Sequence, residues 1–363
     1  MKICYVGWGA HVHLERWAEY FANCGHDVTV LSYVDVGDDG PNLRQIRIGF
    51  EKQRRSLTRL RLRYLLWRLA PDIVHVHWAH FAHDVAEVWG GPLVVTAWGS
   101  DVYRSEAFSS EEMTHLRAGL AGADLVTCDS DDLAKEVAAL CPKVAGRVAV
   151  IQWGIDTARF RRTGDNNPFA RKLDAVGRPV ILSPRNFTAL YNQETVIRSF
   201  RKVLNAVPNA LLILKRYGGD ESYAQRLVNL IRDLGLTDSV RVVDTVAYEL
   251  MPDLYSLATV SVSVPFSDAT PMSLLEAMAC GCVPVCSDLP SIREWIADGE
   301  NGYLVCATDE DLIADRVVQL LRDPSLARTM ADKNRRLVEA RASQEAHMGR
   351  MASFYAALAA SRG

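Results

Sequence analysis

Lys2-Ile-Cys-Tyr-Val6, then Gly7-Trp8-Gly9, then His13–Ala22 closed by Gly25, then Asp27–Leu31: this opening decides the fold. A β-rich run enters a glycine-containing loop, apolar residues follow at helical spacing, Gly25 fits a C-terminal cap, and a second apolar run begins. The unit recurs at Ile73–His77, Leu93–Ala97, Leu125–Asp129 and Val148–Gln152, with helical stretches such as Met113–Leu120 and Leu133–Leu140 between. Short apolar strands alternating with helices predict a parallel sheet covered on both faces. Right-handed crossovers put the strands' C-terminal ends on one edge, where ligands bind.

The alternation lapses over 156–177, with Asp165-Asn166-Asn167-Pro168 marking a turn-rich connection. It restarts at Pro179–Ser183 and runs through a helix over Thr195–Val207, Ala210–Leu214, a helix over Tyr223–Leu234, Val240–Val243, Thr259–Val264, Val283–Cys286 and Gly302–Val305; from Asp309 the pattern is mostly helical. The expectation is two doubly wound, Rossmann-like α/β domains facing each other across a cleft, over 1–160 and 161–342. A last helix, 343–363, packs back toward the first domain.

With 363 residues, each domain has room for its own core. The 41 Lys and Arg against 44 Asp and Glu give a net charge of −3, without the basic surplus of a nucleic-acid binder. No apolar run approaches the ~18 residues of a membrane span. Met1-Lys2-Ile3 leads straight into strand-like residues, which predicts a cytosolic chain. The eight cysteines sit mostly in apolar runs, and Cys280-x-Cys282-x3-Cys286 lacks the paired spacing of a zinc site, so they read as reduced core residues rather than metal ligands.

The chemistry concentrates in 260–290. Val260-Ser-Val-Ser-Val264 enters Pro265-Phe-Ser-Asp268-Ala-Thr270, followed by Pro271-Met-Ser-Leu-Leu-Glu276-Ala-Met-Ala279 and Cys280-Gly281. Thr270 can cap a helix, Pro271 suits its first position and Gly281 its end. The free N–H groups of Met272 and Ser273 then form an anion site at the sheet's C-terminal edge. Glu276 lies one turn deeper on the same face, about 5–6 Å away. That spacing suits a nucleoside diphosphate, with phosphates on the amides and the ribose diol donating to Glu276, while Asp268 points toward whatever the distal phosphate carries. The plainer alternative makes Asp268 a turn cap and Glu276 a solvated helix residue. Leu274, Leu275, Ala277 and Met278 around Glu276 argue for burial instead, and a buried carboxylate needs partners.

Asp268-x7-Glu276 followed by Ala277-Met-Ala-Cys-Gly281 and Pro284-Val285 resembles the acidic E-x7-E signature of the family-four retaining glycosyltransferases, which have the B-type two-domain fold. Gly25-His-Asp-Val28, Asp72-Ile-Val-His-Val-His77, Trp98-Gly-Ser-Asp101, Gly154-Ile-Asp156 and Gly299-Glu-Asn-Gly302 agree in the same order. The resemblance implies an acceptor-binding first domain, a nucleotide-sugar-binding second domain, Glu276 on the donor ribose, and Asp268 on the donor sugar. Asp268 is one methylene shorter than the family's usual glutamate.

The resemblance also implies charge stabilisation of the diphosphate by an Arg and a Lys, without a metal or other cofactor. Ser183-Pro184-Arg185 supplies the arginine, whose planar fork suits a phosphate. Leu190-Tyr191-Asn192 stands where the lysine falls, so Lys215 and Arg216, beyond the next strand, are the substitutes; a solvated loop charge is the competing reading of Lys215. In the first domain, Gly9 resembles the family glycine that lets the backbone approach the diphosphate, though Gly7-Trp8-Gly9 is no dinucleotide fingerprint. Trp98 replaces a histidine that in relatives touches the donor sugar, so that role passes to Asp101, which could equally be a helix cap. His11, His13, Trp98, His77 and His80 form the candidate acceptor side. His75, His77 and His80 have no carboxylate or cysteine neighbours that would suggest zinc.

Between Arg44 and Arg68 lie nine basic residues and one acid, Glu51. The stretch 52–68 reads as an amphipathic helix with arginines on its polar face. It would rest on anionic lipid or attract a phosphorylated acceptor, or else be a solvated face whose stems cover apolar surface. The sequence therefore points to a nucleotide-sugar-dependent retaining glycosyltransferase, taking a UDP- or GDP-linked donor and a small-molecule or lipid-linked acceptor. The rivals are a nucleotide-sugar epimerase of the same architecture and a non-catalytic nucleotide- or sugar-binding module.

Overall fold

The computed structural model describes residues 1–363 apart from 10, 35, 38, 50–54, 105–106, 165–166 and 362–363, and apart from the side chain of Arg55. Asp165 and Asn166 of the expected connection, and Lys52 and Arg54 of the basic stretch, lie outside the described residues. The chain divides into Met1–Trp153 with Ala346–Gly363, and Gly154–Glu345. The first division therefore falls at 153/154, ahead of the 160/161 expected.

The first unit runs β1 (Lys2–Gly7), α1 (Val12–Asn23), β2 (Asp27–Ser32), β3 (Leu43–Arg47), α2 (Arg55–Leu69), β4 (Ile73–His77), α3 (Ala82–Ala86), β5 (Leu93–Thr96), α4 (Ser110–Ala121), β6 (Leu125–Cys128), α5 (Asp131–Leu140) and β7 (Val148–Val150). The seven strands are parallel, in the order β3-β2-β1-β4-β5-β6-β7. Central strands such as β4, Ile-Val-His-Val-His, are buried along their whole length, as a sheet covered on both faces requires. Edge strand β3 pairs on one side only and is partly exposed; its polar sequence carries no apolar run, and the sequence did not reveal it.

The second unit runs α6 (Pro168–Lys172), β8 (Val180–Ser183), α7 (Gln193–Ala206), β9 (Leu211–Lys215), α8 (Glu221–Asp233), β10 (Val240–Val243), α9 (Met251–Ser256), β11 (Val260–Ser263), α10 (Met272–Ala279), β12 (Val283–Ser287), α11 (Pro290–Arg293), β13 (Tyr303–Val305), α12 (Glu310–Arg322) and α13 (Pro324–Arg341). Its six parallel strands follow the order β10-β9-β8-β11-β12-β13. Ile181, Leu212, Leu214, Val260, Val262, Val283 and Val285 form the sheet's share of the core, against Ile197, Phe200 and Leu227 from the helices. Each such side chain contributes about 1.5–3 kcal/mol by leaving water. The last helix, α14 (Gln344–Ala360), belongs from Ala346 onward to the first unit, where Tyr355 is fully buried and its hydroxyl lies 2.5 Å from His75 Nδ1.

Both sheets reverse strand order beside their first strand, between β1 and β4 and between β8 and β11. At such a switch point the connections leave toward opposite faces and open a crevice at the strands' C-terminal ends. No helix among the described residues is long and apolar enough to cross a membrane.

Candidate functional site

In the second unit the switch point joins the segment after β8 to the segment after β11. Arg185, two residues past β8, is buried. Its Nη2 donates to Asp268 Oδ2 at 2.5 Å and its Nη1 to Ser273 Oγ at 3.0 Å, while the guanidinium stacks 4.1 Å from the Tyr191 ring. One cation thus ties the β11 loop to the start of α10. Burial pushes the Asp268 carboxyl upward and the neighbouring Arg185 pulls it back; Arg185 stays charged. Gln193 fixes the loop by donating from Nε2 to the Arg185 carbonyl at 2.8 Å and accepting from Ser183 Oγ at 3.0 Å.

The amides of Met272 and Ser273 lie ahead of the first backbone bond of α10, which Leu274 N–H donates to the Pro271 carbonyl. They leave the helix's positive end beside Arg185. Glu276 is buried one turn inside, where Tyr255 Oη donates to its Oε2 at 2.9 Å. Lys215, closing β9, has its pKa lowered by burial and drawn back up by the Glu276 charge. Gly281, at φ 88°, ends α10 in a conformation that suits glycine.

In the first unit the switch point is aromatic. Trp8 follows β1 and Trp78 follows β4, with ring centroids 4.4 Å apart. Trp98 lies 5.8 Å from Trp8, 4.6 Å from His11 and 5.8 Å from His13, and Trp153 lies 4.3 Å from His13. Trp78 holds φ 76°, a strained value for a bulky side chain. His80 packs 4.1 Å from Phe108. The expected acceptor-side residues are therefore gathered together, except that His77 is fully buried among Tyr5, Trp17 and Trp153 and supports the layer from beneath.

A sequence model of the glycosyl transferases group 1 matches residues 166–337, and one described as glycosyl transferase 4-like matches residues 2–130. The chain belongs to the group 1 glycosyltransferases. Among its relatives, the D-inositol 3-phosphate glycosyltransferase 2 of Catenulispora acidiphila is 27% identical over 70% of this chain and 63% of that enzyme. The N-acetyl-alpha-D-glucosaminyl L-malate synthase of Bacillus anthracis is 25% identical over 74% of this chain and 70% of the relative. The match to the first relative thus spans less than two thirds of its length. In fold, the chain resembles Anabaena HepE solved with UDP (TM-score 0.84, 16% identity, 98% of this chain and 100% of the other). Sucrose-phosphate synthase of Thermosynechococcus elongatus is similar to the same degree (TM-score 0.83, 20% identity, 99% and 100%).

Several expectations for this glycosyltransferase need correction. Thr270 does not cap α10: Pro271 occupies the N-cap position, and Thr270 Oγ1 instead accepts from Trp295 Nε1 at 3.3 Å. Asp101 does not cap the helix that follows it, which Ser109 caps, and it offers no free carboxylate, because Oδ2 accepts from Ala79 N–H at 2.7 Å and Oδ1 from Trp98 N–H at 2.9 Å. It clamps the loops that carry Trp78 and Trp98, and burial raises its pKa to about 6. Gly9 donates its N–H to Ser32 Oγ at 2.8 Å, and a Cβ there would lie 2.7 Å from Ser32 Cβ, so this glycine serves packing. Arg216 is engaged by Asp244 at 2.5 Å and Glu221 at 3.2 Å and does not join the site. Sequence reasoning missed Tyr255, Tyr191 as a stacking partner, and Gln193; no local signal marks a tyrosine 21 residues from the carboxylate that it meets.

Proposed function

We propose that this glycosyltransferase moves a sugar from a nucleoside-diphosphate sugar, UDP- or GDP-linked, to an acceptor hydroxyl, with retention and without a metal ion. The observation that carries the reading is the convergence of Arg185, the α10 amide end and the Tyr255-held Glu276 on one switch point. Phosphates suit the amides of Met272 and Ser273 and the Arg185 fork. A ribose diol suits the buried Glu276 carboxylate one turn away. A diphosphate reaching Arg185 competes with Asp268, so donor binding turns the Asp268 carboxylate toward the sugar.

As the anomeric carbon–phosphate oxygen bond breaks, negative charge grows on the diphosphate. Arg185, the helix amides and Lys215 oppose it with positions fixed beforehand. The acceptor oxygen bonds the anomeric carbon on the face that the phosphate leaves, and the departing phosphate oxygen takes the acceptor proton. No separate protein base is needed for that step. The aromatic layer of the first unit supports an acceptor, small or lipid-linked, that presents an apolar or sugar-ring face to indole rings. HepE, crystallised with UDP-glucose, supports the donor class by likeness of fold.

The test is donor consumption. Wild type should raise its melting temperature with UDP or GDP and consume the matching nucleotide sugar only when acceptor is present. Glu276→Ala should lose transfer while remaining folded. Turnover of the donor without acceptor would indicate an epimerase, and nucleotide binding without turnover of any nucleotide sugar a non-catalytic module.

A further inference from the structure

The basic stretch that reads as an amphipathic helix forms α2, and its outward face carries more than arginine. Thr58, Leu62 and Leu66 point inward and are buried, as one helical stripe requires. The opposite stripe is also apolar: Leu57, Leu60, Tyr64 and Trp67 are 51%, 61%, 54% and 76% exposed. Their spacing, i, i+3, i+7 and i+10, lines them along one outward ridge. The Tyr64 and Trp67 rings are 6.3 Å apart on it. By helical position, Arg63 flanks the ridge on one side and Arg61 and Arg68 on the other, all exposed, and α2 contains no Asp or Glu. The helix itself is held in place: Arg59 Nε pairs with the buried Asp84 at 2.8 Å, and Arg61 Nη1 donates to the Ile48 carbonyl at 3.0 Å.

We propose that this ridge docks the protein on an anionic lipid surface. A folded protein gains nothing from keeping four large apolar side chains in line in water. A helix lying in the plane of a bilayer interface buries such a ridge among acyl chains. Trp and Tyr settle at headgroup depth, and arginines on both flanks meet lipid phosphates. The flanking charge, unopposed by any acid on the helix, selects a membrane over a second copy of this chain, whose identical ridge would bring like charges together. The proposal does not rest on the donor reading.

The experiment is flotation of the full chain with phosphatidylglycerol-containing vesicles and with phosphatidylcholine vesicles at low salt. Wild type is expected to float with the anionic vesicles, about tenfold or more strongly than with the neutral ones. Brominated acyl chains should quench its tryptophan emission. Leu60→Ser/Trp67→Ser and Arg63→Ser/Arg68→Ser should each lose flotation, with thermal unfolding and any UDP-induced shift unchanged. Wild type that stays with the protein fraction, or a ridge variant that still floats, overturns the proposal. So does a wild-type dimer in sedimentation that the ridge variant dissolves, since the ridge then joins two copies. Flotation without nucleotide binding would refute the donor site alone, and nucleotide binding without flotation the lipid face alone.

Discussion

Arg185 and Asp268 lie 2.5 Å apart as a largely buried ion pair, and the same guanidinium reaches Ser273 at the head of α10. Removing the arginine strands a carboxylate in a poorly hydrated place. Arg185→Ala should therefore lower stability by about 3–5 kcal/mol. Arg185→Ala/Asp268→Ala should recover much of that loss, because no unpaired charge remains. Urea denaturation of both variants measures it; a double variant no more stable than Arg185→Ala would show that the stranded carboxylate carries no penalty.

Tyr255 donates to Glu276 at 2.9 Å in a buried setting. Tyr255→Phe keeps the packing and removes one hydrogen bond to a charged group, about 1.5–3 kcal/mol. Part of this appears as a looser ribose carboxylate, so the Kd for UDP should rise roughly three- to tenfold. Isothermal titration decides it, and unchanged affinity would separate Tyr255 from donor binding.

Acid should weaken the first unit through its buried histidines. Burial lowers His11 to about 4 and His75 to about 3, and it also holds His77 well below 6.5, with help from the charges of His75 and His11. The folded state keeps these rings neutral while the unfolded chain protonates them near 6.5. Their contribution is therefore complete above about pH 6.5 and drains away as pH falls from there toward 3–4. The melting temperature should fall over that window, and His77→Phe should flatten the slope. A His77→Phe profile parallel to wild type would contradict this.

Trp78 carries a strained backbone at φ 76°. Trp78→Ala removes the ring yet keeps the strain, whereas Trp78→Gly removes both. The glycine variant should be more stable than the alanine variant by about 1 kcal/mol, and both should raise the KM for acceptor more than that for donor. Alanine matching glycine in denaturant would show that the strain is negligible.

The doubly wound alternation was legible because central parallel strands must be largely apolar, as residues 93–95 and 211–214 are. The Asp268-to-Glu276 segment was legible because a helix start, an acid one turn in and a terminal glycine sit within fourteen residues. Its cap lies one residue later than the sequence suggests: Thr270 and Pro271 both suit a helix start, and Pro271 takes the N-cap position while the Thr270 hydroxyl accepts from Trp295. Partners distant in sequence were hidden, including Tyr255 for Glu276 and Asp244 for Arg216. Asp101 was ambiguous for the same reason, since the amides that consume its carboxylate come from two loops. In α2 the apolar positions serve both faces, so periodicity could not say which was outward.

A crystal structure of the chain with UDP tests the donor site most directly. The account predicts the two phosphates against the Met272 and Ser273 amides and the Arg185 guanidinium, with the ribose hydroxyls donating to Glu276. A nucleotide bound elsewhere, with α10 and Glu276 untouched, would contradict it.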